Sequence, residues 1–369
     1  MNIGIDARLF GPEIGGGGLG RYVEQLVTGL DAVEQQHGYV IFLKPENREK
    51  CRLTNPRFEK RTVPIHWYTL KEQLFFGRII DQEGLDLVHF PHWNVPFNVK
   101  TPFIVTIHDL ILLEEPFSSR ASMRHPFSYL IRHFLFRQIL KRAIERSVRI
   151  IAVSEYTKNA ILRFFPKTPA EKITVIYEGI TPLVSTLSQE PLIQTPYFLY
   201  VGNVYPHKNL EFLIRAFAKF QTIHPELTLV IAGRNDFFLN RLKQETTNTH
   251  IRFFPNPTDV DLAHLYQHAT LFVFPSKTEG FGLPPLEALS HHLPVVASTG
   301  GSLPEILGNS ALYFSPKDLE EAVSAMEKGY TNQAARTALI SNGDQRITHF
   351  SWQTMIEETR NLYVWRNKI

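Results

Sequence analysis

The sequence predicts an α/β protein with two Rossmann-like domains, each built on a doubly wound parallel sheet. Its 369 residues are more than one hydrophobic core usually serves. Short apolar runs, apolar on both faces like the strands of buried parallel sheets, alternate with longer segments of helical periodicity. We count about twelve such runs, too many strands for one compact open sheet.

The predicted strands form two series of six. The first series comprises Asn2–Asp6, Tyr39–Leu43, Leu85–His89, Phe103–His108, Arg149–Val153 and Ile173–Ile176. The second comprises Tyr197–Val201, Leu227–Ile231, Ile251–Phe254, Leu271–Phe274, Pro294–Ala297 and Ala311–Phe314. Helical spacing of apolar residues predicts intervening helices over Leu19–Glu34, Tyr156–Phe165, Leu210–His224, Asp261–His268 and Pro285–His291.

The domain boundary is expected within Thr181–Thr195, a polar, proline-containing stretch without sustained periodicity that separates the two strand series. We therefore predict a first domain over residues 1–182 and a second over 183–350. The last segment, 351–369, carries aromatic residues at helical spacing, and we expect it to pack back on the first domain.

Composition narrows the functional classes. The chain is 43% hydrophobic and 20% charged, as folded proteins are, and its net charge of +3 gives no reason to expect a nucleic-acid partner. Cys51 is the only cysteine, which excludes an intrachain disulfide or a thiolate metal cage. The N-terminus lacks a signal-peptide pattern and no run of 18 apolar residues occurs, so we expect a cytoplasmic location.

Residues 120–149 carry eight Lys and Arg side chains against one acid, Glu145. An apolar stripe runs along this predicted helix, formed by Phe127, Ile131, Leu135, Ile139 and Ala143. One interpretation is a helix that makes peripheral contact with the inner face of the cytoplasmic membrane. The other is a core-packed helix with a solvated basic face, and the sequence leaves both open.

The run Gly15–Gly20 follows the first strand and formally contains G-x-G-x-x-G. NAD(P) binding is disfavoured, because the second strand ends in Leu43 and Lys44, with no acid for a ribose. Two hypotheses remain: a flexible loop, or an anion-binding helix N-terminus that approaches a phosphate or an acceptor. The second would involve Gly16, Gly17, Gly18 and Arg21.

Asp259 and Asp261 form a D-x-D pattern that holds a metal in some sugar-nucleotide enzymes. They stand directly before an apolar helical run, and capping of that helix by Thr258 or Asp259 explains them better than a metal does. His89 and His92 lack a credible ligand spacing. No metal site is predicted.

The most informative stretch is Pro275–Ala288, P-S-K-T-E-G-F-G-L-P-P-L-E-A. It follows a predicted strand, so it lies at the carboxyl edge of a parallel sheet, where such folds bind ligands. Glycines and a helix N-terminus offer backbone N–H groups to a diphosphate, and Glu279 and Glu287 can accept hydrogen bonds from sugar hydroxyls.

A second strand–turn–helix element, Val201–Asn209, reads V-G-N-V-Y-P-H-K-N. Lys208 stands at the start of its helix, where an ammonium can reach a phosphate beside the helix N–H groups. A solvated surface lysine is the ordinary interpretation of such a residue alone, but the two elements together indicate a nucleotide-sugar site.

The two elements, about seventy residues apart, resemble those of the retaining GT-B glycosyltransferases of family 4, also called group 1. The front half is similar to that family at I-D-A-R, G-L-G-R-Y, T-I-H-D and A-V-S-E. The resemblance implies two Rossmann-like domains facing a cleft, a nucleotide-sugar donor, no metal and no other cofactor. The H-D and K-N-L residues are similar to those of bacterial mannosyltransferases that build surface polysaccharides.

Carried over by position, the resemblance implies that Glu287 binds the donor ribose and Glu279 the transferred sugar. The amides of Gly280, Phe281, Gly282 and Leu283 would bind the distal phosphate and sugar. Lys208, in the same turn as Asn203 and His207, would bind the diphosphate. In the first domain, His108 would face the reacting carbon, and His108 or Asp109 could assist proton transfer.

Two departures from the family pattern matter. Asn203 stands where many relatives have a second phosphate-binding Arg, which shifts leaving-group stabilisation onto Lys208. Pro255–Thr258 replaces the usual base-contacting segment and leaves the nucleobase open. We expect transfer of mannose from GDP-mannose to a glycan or lipid-linked glycan in surface polysaccharide synthesis. The alternatives are a UDP-hexose-dependent transferase and a non-catalytic nucleotide-sugar-binding protein.

Overall fold

The computed structural model describes residues 1–116, 126–184 and 192–364, which divide into two compact units. The first unit contains residues 1–110, 126–179 and 351–364. The second contains residues 111–116, 180–184 and 192–350. After the first sheet the chain passes into the second unit between Gly179 and Ile180, and it returns to the first unit between Phe350 and Ser351. The sequence analysis did not predict that residues 111–116 belong to the second unit.

The described part of the first unit contains a seven-stranded parallel sheet of order β3-β2-β1-β4-β5-β6-β7. Its strands are β1 (Asn2–Asp6), β2 (Gly38–Leu43), β3 (Phe58–Thr62), β4 (Leu87–Phe90), β5 (Phe103–Ile107), β6 (Arg149–Ala152) and β7 (Ile173–Val175). Strand order reverses between β1 and β4. The carboxyl edge at this point is where doubly wound sheets bind ligands.

Strand β3 was not predicted. Its sequence F-E-K-R-T buries only Phe58, because it lies at the edge of the sheet and pairs with β2 alone. A strand of this kind lacks the apolar run that marks a buried parallel strand. The prediction of six strands for this domain is therefore wrong by one.

The second unit contains, among its described residues, a six-stranded parallel sheet of order β10-β9-β8-β11-β12-β13. Its strands are β8 (Tyr197–Val201), β9 (Thr228–Gly233), β10 (Ile251–Pro255), β11 (Leu271–Phe274), β12 (Val295–Ser298) and β13 (Ala311–Phe314). All six agree with the predicted strands to within one or two residues. Here the strand order reverses between β8 and β11.

Helices follow most strands. Up to the end of the first sheet they are α1 (Pro12–Gly15), α2 (Gly17–Val33), α3 (Pro45–Arg48), α4 (Gly77–Gln82), α5 (Ile111–Glu114), α6 (Pro126–Arg146) and α7 (Glu155–Phe164). A π-helical turn, Glu72–Phe76, leads into α4. Later helices are α8 (Leu210–Gln221), α9 (Phe237–Glu245), α10 (Asp259–His268), α11 (Leu283–Ser290), α12 (Leu303–Leu307), α13 (Leu319–Thr331), α14 (Gln333–Ile347) and α15 (Trp352–Tyr363).

The C-terminal helix α15 packs in the first unit, against α2. Met355, Ile356 and Tyr363 are buried in the core that α2 shares with the first sheet. The contact is close, because a Cβ atom on Gly29 of α2 would lie 1.9 Å from Cδ1 of Ile356. Glycine at position 29 therefore permits the approach of the two helices.

Helix α6 divides into two parts. Towards its C-terminus Leu140, Ala143 and Ile144 are buried in the first unit, whereas Ile131 and Leu135 near its start are exposed. The prediction of a single apolar stripe is therefore wrong, because Ala143 belongs to the core whereas Ile131 and Leu135 do not. Residues 120–125 and the Phe127 side chain lie outside the described residues. No helix in the described ranges is long and apolar enough to span a bilayer.

Candidate active site

Lys208 and Glu279 meet at the carboxyl edge of the second sheet. Lys208 ends a single 3-10 turn (Pro206–Lys208) after β8, and Glu279 lies in the turn after β11. Because β8 and β11 are adjacent strands, these turns are neighbours at the point of strand-order reversal. The Lys208 ammonium donates to both carboxylate oxygens of Glu279, at 2.6 and 2.8 Å. The structure thus brings together two residues that are 71 positions apart in the sequence.

The surroundings of this ion pair are largely shielded from water. The Lys208 and Glu279 side chains are 13% and 8% exposed, and the Lys208 Nζ lies 5.5 Å from the centre of the Phe274 ring. Tyr200 stacks on Phe274. Burial, together with the Glu279 charge, raises the pKa of Tyr200 well above its usual value. Tyr200 is therefore a neutral donor, and its hydroxyl donates to the carbonyl of Asn203 at 2.7 Å.

The Lys208 turn is hydrogen-bonded directly to the turn that carries Glu279. Asn209 adopts a left-handed conformation (φ 63°), and its side-chain amide donates to the carbonyls of Pro275 and Pro316. The carbonyl of His207 accepts the Lys277 N–H at 2.7 Å. Burial, with the charges of Lys208 and Lys277, lowers the pKa of His207 to about 3, so its ring is neutral at pH 7. His207 positions the turn through its main chain.

Glu287 occupies the second turn of α11 and is 8% exposed. The Tyr266 hydroxyl of α10 donates to its Oε2 at 3.0 Å, which fixes the orientation of the carboxylate. The predicted pair of carboxylates is therefore present on one connected element. Glu279 stands before the turn and Glu287 lies within the helix.

The N-terminus of α11 offers fewer N–H groups than the sequence prediction supposed. Its first residue is Leu283, and prolines at 284 and 285 remove the next two donors. Gly282 adopts φ 102°, which a side chain would disfavour. The N–H groups of Gly282 and Leu283 donate to no other group in the described ranges. Gly280 and Phe281 lie buried just before them.

A third loop, after β12, was missed by the sequence analysis. Gly301 (φ 65°) packs so closely that a Cβ atom there would lie 2.3 Å from the Glu279 nitrogen. Ser302 donates its N–H to the Glu279 carbonyl and its hydroxyl to the Phe281 carbonyl, each at 3.0 Å. The signal was available, because T-G-G-S-L-P-E repeats the pattern of strand, glycine turn and proline at a helix start.

Asn203, the residue that departs from the family pattern, lies in the turn after β8. Its Oδ1 is buried and finds no hydrogen-bond partner among the described residues. Its carbonyl accepts from Tyr200, so the turn is rigidly placed. The side chain adds no charge at this edge, which leaves Lys208 as the cation that contacts Glu279.

Asp261 completes a capping box at the start of α10. The Thr258 hydroxyl accepts the Asp261 N–H at 3.1 Å, and the Asp261 carboxylate accepts the Thr258 N–H at 2.9 Å. Capping by Thr258 is therefore confirmed, and Asp259 occupies the first helical position. Within the described ranges, no group of three or more His, Cys, Asp or Glu side chains is arranged to bind a metal.

His108 lies at the carboxyl edge of the first sheet, directly after β5. Its Nδ1–H donates to Glu178 at 2.8 Å and its Nε2–H donates to the Pro91 carbonyl at 2.9 Å. Burial alone would lower the pKa of His108, but the hydrogen bond and charge of Glu178 outweigh it and raise that pKa. Both ring nitrogens face acceptor oxygens, so the protonated ring donates on both sides and then has no free lone pair. Proton abstraction by His108 does not fit this geometry. Asp109, beside it, is half-buried.

The glycine run is mostly helical rather than a loop. Gly16 (φ 76°) separates α1 from α2, and Gly17 and Gly18 are the first two residues of α2. The helix thus starts two residues before the predicted position. Arg21 lies one turn further on, and the neighbouring Tyr22 packs edge-on against His108, with ring centres 4.7 Å apart. The glycine element and His108 therefore share one edge of the first sheet.

Two family models divide the chain between them. Residues 16–182 match the model for Glycosyltransferase Family 4, and residues 187–346 match that for Glycosyl transferases group 1. The chain belongs to glycosyltransferase family 4. Both motif elements of the second unit lie within the group 1 match, and the glycine element and His108 lie within the family 4 match.

Curated and solved proteins agree with this assignment. The glycosyltransferase is 26% identical to the Escherichia coli O-antigen chain mannosyltransferase B over 292 residues, covering 75% of this chain and 74% of the relative. Its fold is similar to that of sucrose-phosphate synthase from Thermosynechococcus elongatus (TM-score 0.77, 21% identity, 98% of each chain). It is also similar to Anabaena HepE in complex with UDP and glucose (TM-score 0.73, 18% identity, 99% of each chain). The GT-B fold is thereby confirmed.

Proposed function

We propose that this glycosyltransferase moves mannose from GDP-mannose to a hydroxyl of a glycan or lipid-linked glycan, with retention of configuration. The observation that carries the donor site is the Lys208–Glu279 pair at the carboxyl edge of the second sheet. It combines a cation for the diphosphate with a carboxylate for sugar hydroxyls. The mannosyl preference is supported by the O-antigen mannosyltransferase relative. A role in surface polysaccharide synthesis follows from the same likeness.

In the proposed reaction the acceptor oxygen forms a bond to the anomeric carbon while the bond from that carbon to the phosphate oxygen breaks. The acceptor proton passes to the departing phosphate on the same face. Lys208 and the N–H groups of Gly282 and Leu283 stabilise the charge that develops on the leaving group. Glu287 orients the ribose and Glu279 the sugar. The reaction does not require His108 to abstract a proton.

The proposed reaction needs no metal and no resident cofactor. The capping box formed by Thr258 and Asp261 supports this statement, because helix capping explains the D-x-D pattern without a metal. We expect turnover to persist in EDTA. Loss of activity in EDTA that Mn²⁺ restores would contradict this part of the proposal and return Asp259 and Asp261 to consideration as ligands.

The decisive experiment is a calorimetric and thermal-shift comparison of GDP, GDP-mannose, UDP, UDP-glucose and NADH. We expect binding of GDP and GDP-mannose, retained in EDTA and lost in Glu287→Ala. The matched control is Glu320→Ala, which removes an exposed acid from α13 of the same unit. Preference for UDP-glucose would establish the alternative UDP-hexose donor. Binding of NADH alone would overturn the donor site.

Turnover separates an enzyme from a nucleotide-sugar-binding protein. Incubation with GDP-mannose and a membrane glycan extract is expected to release GDP and to give an α-linked product, which NMR of the anomeric proton identifies. Tight donor binding with no transfer to any acceptor would favour the non-catalytic alternative. A β-linked product would contradict retention.

A further inference from the structure

Tyr68 combines two features that are unusual together. Its backbone is left-handed (φ 59°), and the residue is 55% exposed. A bulky side chain adopts this backbone conformation at a cost in free energy, and such strain is typical of functional sites. Single exposed apolar side chains are ordinary, but an exposed ring held in a strained conformation is not. The two features favour a role for Tyr68 beyond the stability of the fold.

The loop that carries Tyr68 crosses the carboxyl edge of the first sheet. Residues 63–69 follow the edge strand β3, and the Ile65 carbonyl accepts a hydrogen bond from Arg8, just after β1, at 3.2 Å. The Tyr68 hydroxyl then reaches His92, just after β4, where it lies 3.3 Å from Nε2. Tyr68 therefore lies where the strand order reverses between β1 and β4, the place at which doubly wound sheets bind ligands.

A buried ion pair holds this loop in place. The Glu72 side chain is fully buried, and its carboxylate accepts the Tyr68 N–H at 2.8 Å. The same carboxylate accepts from the buried Arg8 guanidinium and from the Asn94 side chain, each at 2.5 Å. Charge-assisted hydrogen bonds of this kind fix a carboxylate firmly. The strained Tyr68 backbone is therefore preorganised before a ligand arrives.

Tyr68 and Trp93 form an aromatic platform of two rings. The rings are nearly parallel, with centres 5.4 Å apart and planes inclined by 28°. Trp93 in turn packs edge-on against buried Phe136, with ring centres 4.7 Å apart. Because Trp93 covers one face of the Tyr68 ring and is itself supported by the core, the opposite face of Tyr68 is the one left for a ligand.

The hydroxyl end of the Tyr68 ring is polar and sheltered. Burial, with the charge of His108, lowers the pKa of His92 to about 3, so the His92 ring is neutral at pH 7. Its Nδ1 accepts the Asn94 N–H at 3.4 Å, so its proton lies on Nε2 and is donated to the Tyr68 hydroxyl. Burial and the nearby Asp109 charge raise the pKa of Tyr68. The platform therefore joins an apolar face to a rim with a neutral hydroxyl and a carboxylate.

We propose that the acceptor binds by stacking one of its pyranose rings on Tyr68, with Trp93 behind it. A pyranose presents a face of C–H bonds with slight positive charge, which suits the negative face of an aromatic ring. Its hydroxyls suit the polar rim beside Asp109. A nucleotide fits less well, because the Asp109 charge repels its phosphates. This inference rests on the proposed function, since it assigns the bound sugar to the acceptor.

Saturation-transfer NMR on the full chain tests the platform without donor or turnover. The probes are the methyl pyranosides of mannose, glucose, galactose and N-acetylglucosamine. We expect at least one of them to receive saturation, most strongly at the ring protons of one face. Its Kd should rise about tenfold in Tyr68→Ala, because the stacking face is lost. Tyr68→Phe keeps the ring and should bind within about threefold of the wild type.

Another exposed ring of the first unit supplies the matched control. Phe75→Ala removes a side chain that is 48% exposed and should leave pyranoside binding unchanged. Retained GDP binding in every variant would show that the chain is folded. Absence of saturation in all four pyranosides, or equal binding by Tyr68→Ala and the wild type, overturns the platform. Saturation of GDP that Tyr68→Ala abolishes overturns it too, because the rings would then bind a nucleotide.

Turnover shows whether the bound sugar belongs to the acceptor. With GDP-mannose and a membrane glycan extract, Tyr68→Ala should raise the apparent KM for the extract about tenfold and leave the KM for GDP-mannose unchanged. A raised donor KM with an unchanged acceptor KM would contradict the assignment. Pyranoside binding that depends on Tyr68, in a wild type that transfers no sugar, would refute the proposed transfer while supporting the platform as a sugar site.

Discussion

At the scale of single residues, the Lys208–Glu279 pair explains why two separate motifs form one site. Each side chain is mostly buried, so each needs a charged partner when no substrate is present. A bound diphosphate can take over Lys208, which frees the Glu279 carboxylate to accept hydrogen bonds from the sugar. The pair thereby prepares both groups for the donor.

Replacement of either partner should therefore be costly. We expect Lys208→Ala and Glu279→Ala each to lower kcat roughly a hundredfold, as loss of a transition-state contact does. Steady-state kinetics with the donor established by calorimetry measure this. Because a lone buried charge also destabilises the fold, Lys208→Met/Glu279→Gln serves as the control: it should melt like the wild type yet remain inactive. Unchanged turnover in both single variants would contradict the assignment.

The contact between His108 and Glu178 makes a separate prediction about proton binding. Glu178→Gln removes the charge that raises the pKa of His108, so the burial effect should dominate and that pKa should fall. Two-dimensional NMR of the imidazole nitrogens across a pH series measures the change directly. An unaltered His108 titration would show that Glu178 does not hold the ring protonated.

The same contact fixes the sign of a stability effect. A histidine whose pKa is raised on folding stabilises the native state most below its unfolded pKa of about 6.5. That contribution disappears as pH rises through the folded value. The difference in unfolding free energy between wild type and Glu178→Gln should accordingly be larger in mildly acid solution than at high pH. Urea unfolding at two pH values tests it.

At the scale of elements, the loop after β12 supports the Glu279 turn through backbone contacts. Gly301→Ala introduces a Cβ atom 2.3 Å from the Glu279 nitrogen at a positive φ. We expect weaker donor binding and a loss of stability of about 1–3 kcal/mol beyond the cost of the backbone conformation alone. Calorimetry and urea unfolding provide the two measurements.

Gly308 offers the matched control for this loop. It also has a positive φ (55°), but a Cβ atom there would approach no described atom more closely than 3.7 Å. Gly308→Ala should therefore leave donor affinity unchanged, although its backbone (φ 55°, ψ −125°) lies outside the left-handed helical region and the substitution carries a conformational cost of about 1–3 kcal/mol. Equal behaviour of the two variants would mean that the loop does not position Glu279.

Elements differ in how well their sequences predict them. Both buried strands next to the site, β8 and β11, agree with the prediction because their apolar runs are unbroken. The edge strand β3 escaped detection because solvent on one side permits E-K-R in a strand. The start of α2 was placed too late because three glycines are helical there, against their intrinsic preference.

At the scale of the whole molecule, the C-terminal helix ties the end of the chain to its beginning. Tyr363 donates or accepts a hydrogen bond with buried His89 at 2.6 Å, and Ile356 fills the space above Gly29. We expect Ile356→Ala to lower the unfolding free energy of the first unit by about 2–5 kcal/mol through the cavity it leaves. Hydrogen exchange should then show faster exchange in α2, β1 and β2.

The second unit reports whether that effect is local. Its strands β8–β13 should exchange at wild-type rates in Ile356→Ala, and GDP binding should persist. Ile223→Ala, which truncates an exposed isoleucine of the second unit, should change neither unit by more than about 0.5 kcal/mol. Faster exchange throughout both sheets would show instead that the two units unfold together.

The sequence by itself determined the α/β class, the two strand series, and the pair of motifs that carry Lys208, Glu279 and Glu287. Apolar runs, glycines, prolines and acid spacing are local signals, and each reports on the element that contains it. The sequence analysis also predicted the helix cap before α10, because capping depends on residues three positions apart.

Only the tertiary structure decided what distant residues do to one another. It placed His108 between two acceptors, Glu178 and the Pro91 carbonyl, and it packed Gly301 against the main chain of Glu279. These properties depend on burial and on contacts across tens of residues, which periodicity does not encode, and they appear only when the strands are laid side by side.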